Sequence, residues 1–222
     1  MKFIDILKIT TPVALAYIPL GMAFGIFAVS YEIPWYFATL MSLIVYAGSA
    51  EFLIVAFIIS FASILEVFIA IFLVNLRHFF YGISILNDFK NLKGFSKIYS
   101  IFGLTDETFA LLKLVDIKDE EKQKVYPIIT ALGHLYWVFG VFLGSFFGQF
   151  LKFDSKGLSF ILTALFIVLS IELYNKVKQK NIVIISIFIS IFGLFLPDQY
   201  MLVITLLISA SILILFKERI KI

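Results

Sequence analysis

An arginine and a histidine stand side by side in a stretch that is otherwise strongly apolar. Residues 75–82 read NLRHFFYG. In a helix, Asn75 and His78 would share one face, with Arg77 on the face beside it. The guanidinium of Arg77 offers a planar fork of donors to a carboxylate, and His78 can pass protons near neutral pH. An arginine near the end of a span also reaches lipid headgroups, but that leaves the asparagine and the histidine unexplained.

Two adjacent carboxylates in a later segment are suitable partners for this arginine. Residues 103–111 read GLTDETFAL. Thr105 is a good helix N-cap, and Asp106 and Glu107 would then occupy the first turn, where the positive end of a helix favours anions. A half-helix that begins inside an apolar segment would bring both carboxylates to membrane depth. There they could pair with Arg77 or carry protons.

A third acidic position lies midway through a long apolar run. Residues 46–52 read YAGSAEF, in which small residues, Ser49 among them, precede Glu51. Small residues let helix backbones approach closely, so packing explains part of this pattern. A charged side chain near the bilayer centre, however, costs about 2.5–3.5 kcal/mol on insertion scales. Glu51 is therefore a candidate for reversible protonation.

Other polar residues fit structural roles at least as well. Glu66 and Glu172 lie near the ends of apolar segments, where a charge reaches the interface. His134 and Trp137 share one face of a long apolar segment, and a lone buried histidine is more often a hydrogen-bonded packing residue. The weaker site candidates are therefore Ser49, Thr105, His134, Trp137 and Glu172.

The composition indicates the class of protein that must position these groups. Of the 222 residues, 62% are hydrophobic and only 15% are charged, whereas a soluble domain has about 25% charged residues. Long uninterrupted apolar runs indicate spanning helices rather than barrel strands. We therefore predict an all-α integral membrane protein in a lipid bilayer. Its net charge of +3 calls for no nucleic-acid partner.

Signatures of catalysis and of metal binding are missing from the sequence. It contains no cysteine and only two histidines, too few for a thiolate site or a dedicated all-histidine metal site. Zinc-protease, nucleophile-elbow and phosphate-loop motifs are missing as well. We therefore expect no enzyme activity, no metal and no cofactor.

About seven to eight apolar helical segments are predicted, at residues 11–30, 35–60, 62–86, 98–115, 126–151, 157–175, 182–196 and 199–216. A spanning helix needs about 20 residues. The second segment is too long for one simple span and is interrupted by AGSAE at 47–51, and the fourth is short and interrupted by GLTDE at 103–107. Both are predicted to be broken or re-entrant helices, which a membrane tolerates where protein or a water-filled cavity surrounds the break.

The lysines predict the orientation of the chain. Lys2 and Lys8 precede the first segment, and further basic clusters occupy the loop near 113–124 and the C-terminus. Cytoplasmic loops carry an excess of Lys and Arg, so both termini are predicted to lie on the cytoplasmic side of the cell membrane. The loop at 87–97 faces outward if segments two and four both span, and inward if both are re-entrant. The sequence leaves both possibilities open.

A weak internal repeat accompanies this pattern. Aligning Pro12 with Pro127 places FGIF at 24–27 on FGVF at 139–142. On the predicted orientation the two matched helices run in the same direction, which favours a parallel over an inverted duplication. The predicted organisation is a single transporter domain, 1–222, with possible repeat halves at 1–115 and 116–222.

Five stretches, taken together, resemble the azaleucine-resistance (AzlC) family, the large subunits of branched-chain amino acid exporters. They are TPVALAYIPLGMAFGIFA (11–28), LMSLIVYAGSAEF (40–52), NLRHFFYGISI (75–85), LTDETFAL (104–111) and GHLYWVFGVFLGSFFGQ (133–149). The resemblance covers roughly residues 5–215. Its specific part is the Asn-Leu-Arg-His and Thr-Asp-Glu motifs.

The resemblance implies a multi-pass protein of the cytoplasmic membrane that exports leucine, isoleucine and valine, and in some members methionine. It also implies a small hydrophobic partner subunit of the AzlD type and energy from the proton motive force. One position departs from the family, because Glu51 stands where members commonly carry Gln after the small-residue run.

The main hypothesis is therefore a proton-driven secondary exporter of branched-chain amino acids. The principal candidates for substrate binding or coupling are Glu51, Asn75, Arg77, His78, Asp106 and Glu107. A passive channel or facilitator for a small solute or ion would use broken helices equally well. A structural subunit of a membrane complex, with the polar cluster as interhelical glue, is the third possibility.

Overall fold

The computed structural model describes residues 1–115, 117–150 and 180–197, together with isolated positions within 167–178 and 201–212. The segments predicted at 157–175 and 199–216 lie largely outside the described residues. The described part of the chain forms α-helices and no β-strand, in agreement with the all-α prediction. The helices are α1 (Phe3–Ser30), α2 (Trp35–Ile44), α3 (Gly48–Ile59), α4 (Ile64–Ile85), α5 (Gly94–Phe102), α6 (Asp106–Leu114), α7 (Asp119–Gly148) and α8 (Lys180–Gly193).

Three of these helices are long and apolar enough to cross a membrane, namely α1, α4 and α7. The predicted long segments at 35–60 and 98–115 are each divided into two short helices, as the interruptions indicated. The first break begins earlier than predicted and shares only Ala47 with the predicted interruption at 47–51. The chain breaks at residues 45–47, and Gly48 to Glu51 form the first turn of α3 rather than a loop. The small residues there serve helix packing instead, because a Cβ on Gly48 would lie 3.0 Å from the indole of Trp137.

The contacts divide the chain into two compact units. The first comprises Met1–Phe52 and Leu76–Ser155, and the second comprises Leu53–Asn75 and Lys156–Ile222. Within the second unit, the phenyl rings of Phe68 and Phe72 stack along one face of α4, with centroids 6.1 Å apart. At the end of α8, a Cβ on Gly193 would lie 2.7 Å from Cγ2 of Thr205, so this helix end also packs closely.

The first unit is organised around α1 and α7, which run parallel in close contact. A Cβ on Gly25 would lie 2.4 Å from the carbonyl oxygen of Val141, and one on Gly144 would lie 2.1 Å from that of Met22. Only glycine permits such backbone contact, as in other small-xxx-small helix pairs. The paired positions advance together along both helices: Ile18 with Gly140, Met22 with Gly144, and Ile26 with Gly148. The predicted parallel orientation of these two matched helices is therefore observed.

The α2–α3 pair forms a hairpin that enters from the C-terminal end of α7. The Trp35 ring lies 5.4 Å from that of Phe146, whereas the Tyr46 ring stacks on His134, further down α7, at 4.3 Å. The chain then turns back. The ring of Phe52 contacts that of Phe27, with centroids 5.2 Å apart. Phe27 follows Ile26, which packs against Gly148 at the end of α7, so α3 returns to the end from which the hairpin entered.

The α5–α6 pair forms a second hairpin that enters from the opposite end. Lys93 and Gln123, at the starts of α5 and α7, exchange two hydrogen bonds of 2.8 and 3.2 Å. Further along α5, the Tyr99 hydroxyl reaches Nδ1 of His134 at 3.0 Å. At the end of α6, Lys113 is back at the start of α7, because it shares Asp88 with Lys122.

The two hairpin tips, residues 45–47 and 103–105, therefore meet near the middle of α7. A Cβ on Gly103 would lie 2.2 Å from Cγ2 of Thr130 and 3.3 Å from the Tyr46 ring. Of the two possibilities for the loop at 87–97, this geometry selects the re-entrant one. That loop lies at the same end of the first unit as the start of α7 and as Met1, whose amino group contacts Glu121.

Candidate functional site

The tip of the α2–α3 hairpin is a strained turn followed by the start of a helix. Tyr46 has φ +45°, a left-handed conformation that is uncommon for a bulky side chain and is typical of functional sites. One residue later, the backbone N–H of Ala47 donates a hydrogen bond of 3.0 Å to Oε1 of Glu51. Glu51 thus satisfies a free donor at the positive end of its own helix.

Glu51 is completely buried, with 0% of its surface exposed. Its carboxylate also accepts bonds from the indole N–H of Trp137, at 3.0 Å to Oε1 and 3.2 Å to Oε2. All three hydrogen bonds come from neutral donors. A carboxyl group held this way can become protonated without leaving an opposite charge unpaired.

The tip of the α5–α6 hairpin follows the predicted capping pattern. The backbone N–H of Thr108 donates to Oγ1 of Thr105 at 3.2 Å, which confirms Thr105 as the N-cap. Asp106 and Glu107 occupy the first turn. The hydroxyl of Tyr17 on α1 contacts Oε2 of Glu107 at 2.6 Å and Oγ1 of Thr105 at 2.8 Å. This side chain ties the second tip to the α1–α7 pair.

Arg77 and Asp106 form an ion pair, one of the two roles that the sequence left open for the adjacent carboxylates. Nη1 of Arg77 lies 2.7 Å from Oδ2 of Asp106, and the side chains are 37% and 27% exposed. Nη2 of the same arginine makes a longer contact of 3.4 Å with the hydroxyl of Ser49, in the first turn of α3. Arg77 therefore connects the starts of α3 and α6. Oδ1 of Asp106 is buried without a well-formed hydrogen bond to the described residues, and the Tyr81 hydroxyl interacts with the same carboxylate.

Tyrosines, which sequence reasoning passed over, complete the site. Tyr46 stacks on His134, and a Cβ on Gly133 would lie 2.9 Å from the Tyr46 hydroxyl. Tyr99 bonds His134 from the second hairpin, so His134 contacts side chains of both hairpins. The signal was present, because Tyr17, Tyr46 and Tyr99 each place a hydroxyl inside an apolar segment.

The candidates of the sequence analysis are thus only partly brought together. The cluster at the tips includes Ser49, Glu51, Arg77, Thr105, Asp106, Glu107, His134 and Trp137. His78 contacts the ring of Tyr81 on α4 at 5.5 Å. Asn75 belongs to the second unit, and Glu172 lies outside the described residues. Glu66 accepts hydrogen bonds from Ser63 at the start of α4, the structural role expected of it.

The cluster can hold both ends of a zwitterion. It contains carboxylates, which bind an ammonium group, and it contains a guanidinium, hydroxyls and two helix starts, which favour a carboxylate. Over the described residues, no group of three histidine or acidic side chains is arranged to hold a metal ion.

Comparisons with known proteins give one consistent result. The family described as AzlC protein matches residues 12–151. An uncharacterized membrane protein of Helicobacter pylori strain 26695 is 36% identical over 99% of this chain and 96% of its own length. The branched-chain amino acid transport protein AzlC of Bacillus subtilis strain 168 is 35% identical over 84% of this chain and 74% of its own. The inner membrane protein YgaZ of Escherichia coli K12 is 30% identical, over 74% and 70%. No solved structure matches the chain.

Proposed function

This protein belongs to the AzlC family, and we propose that it is a secondary transporter that exports branched-chain amino acids across the cytoplasmic membrane. The relative from Bacillus subtilis carries its substrate class in its name. Leucine, isoleucine, valine and methionine share a zwitterionic head and an apolar side chain, so one site of this kind can accept all four. The Phe-rich helices offer apolar surface for that side chain, and such surfaces separate substrates that differ by one methylene only about 10–200-fold.

The observation that carries this proposal is the meeting of two half-helix starts in the middle of the first unit. Helices α3 and α6 both begin at the tips, with Glu51, Asp106 and Glu107 in their first turns. Discontinuous helices with charged groups at membrane depth are the usual substrate and ion sites of secondary transporters. An ionisable group there is costly to keep, which favours a functional reason for it.

We assign different roles to the acidic side chains. Oδ1 of Asp106 is the acceptor for the substrate ammonium, because Oδ2 is already engaged by Arg77. Arg77 positions this carboxylate and links it to the start of α3 through Ser49. Glu51 and Glu107, both bonded by neutral donors, are the candidate proton carriers. His78 remains a candidate proton relay, and Asn75 remains a candidate for substrate binding or coupling.

The positions of the lysines support a cytoplasmic location for the end where α7 begins. Lys90, Lys93, Lys113 and Lys122 gather there with the N-terminus. The loop at 31–34, at the opposite end of α1, has no lysine or arginine. By the positive-inside rule the α5–α6 hairpin then enters from the cytoplasm and the α2–α3 hairpin from outside.

Transport is tested with purified protein in proteoliposomes loaded with labelled leucine, with and without a small membrane partner of the AzlD type. An imposed pH gradient should drive leucine against its concentration gradient. Movement that never proceeds uphill and does not saturate would instead indicate a passive facilitator. If the proteoliposomes retained leucine both with and without the partner, whatever pH gradient was imposed, proton-driven export would be refuted. A requirement for the partner would support a two-subunit exporter.

The proton carrier is identified by two isosteric changes, Glu51→Gln and Glu107→Gln. The variant that removes the carrier should still exchange leucine across the membrane, but its uphill transport should fall at least tenfold and lose its dependence on the pH gradient. If leucine transport in both variants still depended on the pH gradient as in the natural chain, neither Glu51 nor Glu107 would be the proton carrier. Glu66→Gln, on a side chain at the start of α4, serves as the matched control.

A further inference from the structure

Buried hydroxyl groups without ordinary hydrogen bonds gather where the hairpin tips meet α7. The hydroxyls of Ser100 and Thr130 have no hydrogen-bond partner among the described residues, although both residues are 0% exposed. The hydroxyl of Tyr46, a residue only 4% exposed, interacts with the hydroxyls of Thr108 and Tyr17, but neither contact has the geometry of an ordinary hydrogen bond. An unsatisfied buried polar group costs about 1–3 kcal/mol. Its retention at a strained position such as Tyr46 favours a functional explanation.

Two of these hydroxyl-bearing side chains are held against the same turn. Gly103 has Cγ2 of Thr130 and the ring of Tyr46 on one side, at 2.2 and 3.3 Å from the place of a Cβ. The Tyr46 hydroxyl itself extends over Gly133, with the hydroxyl of Thr108 as a further neighbour. The side chains of Tyr46 and Thr130 therefore come from two different elements, the first tip and α7, and converge on the second tip.

The chemistry of this cluster favours an anionic group. Hydroxyls can donate as well as accept, and hydrogen bonds to a charged acceptor are the stronger ones. The starts of α3 and α6 add their positive ends nearby. By contrast, Nη1 of Arg77 already pairs with Asp106 and Nη2 contacts Ser49, which leaves Nε as its one nitrogen without a hydrogen bond to the described residues. A single free N–H cannot bind a carboxylate in the bidentate way that the intact fork allows, so the hydroxyls are the better partners for a substrate carboxylate.

We propose that the hydroxyls of Tyr46 and Thr130 bind the carboxylate of the transported amino acid. This assignment rests on the proposed function and adds to it. Asp106 takes the ammonium end, and the tyrosine and threonine hydroxyls take the carboxylate end. Because Tyr46 belongs to the first tip and packs on the second, a bound carboxylate would also hold the two hairpins together.

The test removes each hydroxyl with little change of shape, by Tyr46→Phe and Thr130→Val. A hydrogen bond to a charged group is worth about 1.5–3 kcal/mol, so each change should raise KM for leucine about tenfold or more. Inhibition by 3-methylbutylamine, which is leucine without its carboxylate, should be unchanged. Tyr136→Phe and Thr39→Val are the matched controls, because their hydroxyls bond Thr10 and the carbonyl of Trp35 instead.

A third variant tests the same contact from the α7 side. Gly133→Ala places a methyl group 2.9 Å from the Tyr46 hydroxyl, so it should raise KM for leucine in the natural chain. In the Tyr46→Phe background it should add little, because the displaced hydroxyl is gone. Thermal unfolding of each purified variant shows whether it remains folded.

The outcomes separate this inference from the proposed function. Unchanged KM in both hydroxyl variants, with leucine transport intact, would overturn the carboxylate site and leave the transporter assignment standing. Equal weakening for leucine and for 3-methylbutylamine would show a packing role and would also overturn it. A natural chain that neither binds nor moves leucine would refute the proposed function, and this inference with it.

Discussion

The two hairpins reach the same place on α7 but hold their carboxylates in different ways. At the tip of the α2–α3 hairpin, Glu51 is fully buried and bonded only by the Trp137 indole and its own helix start. At the tip of the α5–α6 hairpin, Asp106 is partly exposed and paired with the full positive charge of Arg77. One site has neutral donors around an acid, and the other has an ion pair.

This difference separates two roles that the sequence pattern could not distinguish. A carboxylate paired with a cation is stabilised in its charged form, and removing its charge leaves the cation unpaired. At Glu51 an amide should be tolerated, because an amide oxygen in the place of Oε1 can accept the bond from Ala47 and the shorter of the two bonds from Trp137. The first arrangement suits a fixed charge, and the second suits a group that gains and loses a proton.

The largest effect on stability is expected for Glu51→Ala. The indole N–H of Trp137 and the backbone N–H of Ala47 would lose their partner, and a cavity would remain. Together these should lower the free energy of unfolding by about 3 kcal/mol or more. The measurement is thermal unfolding in detergent. Glu51→Gln is the control and should stay within about 1 kcal/mol of the natural chain. Equal losses for both variants would mean that the charge of Glu51, not its acceptor atoms, matters.

A smaller effect on stability is expected for Asp106→Asn. Here, unlike at Glu51, an amide should not replace the carboxylate without a loss of stability. The change keeps the shape but leaves Arg77 without its anion. Because both side chains are partly exposed, the loss is reduced to about 1–2 kcal/mol. The same unfolding assay measures it. Arg77→Lys, which keeps the positive charge, should lose less than Arg77→Ala. If Asp106→Asn were as stable as Glu51→Gln, the contrast between the hairpins would be unfounded.

The smallest effect is expected at the base of the α5–α6 hairpin, where Asp88 bonds Lys113 at 2.8 Å and Lys122 at 2.9 Å. Burial alone would raise the pKa of Asp88, but the hydrogen bonds from the two lysines outweigh it and lower the pKa. The folded state therefore holds this proton less tightly than the unfolded state.

The stabilisation from Asp88 is present above its ordinary pKa of about 3.9, and it is lost as the pH falls through the lowered folded-state value. At neutral pH, Asp88→Asn should cost under about 1 kcal/mol, because solvent screens the pair. Below pH 4, the free energies of unfolding of the Asp88→Asn variant and the natural chain should approach each other. A difference that stays constant with pH would contradict the ion-pair explanation.

Much of the local structure was predictable from the sequence. Thr105 followed by two acids predicted an N-cap, and the cap is observed. The apolar runs predicted α1, α4 and α7, and the two interruptions predicted broken helices. The first break was placed too late, at 47–51, because small residues were taken to interrupt a helix. In the fold they begin one, since Gly48 and Ser49 let α3 approach Trp137 and Arg77.

The sequence by itself determined the class of the protein, the helical segments and the charges that had to find partners, because hydrophobic runs, caps and charge are local properties. Only the tertiary structure decided that both broken segments fold back as hairpins from opposite ends. Their direction depends on contacts more than 80 residues apart, such as that of Glu51 with Trp137. It also decided that Arg77 pairs with Asp106, and that the tyrosines, which have no charge to mark them, meet between the tips.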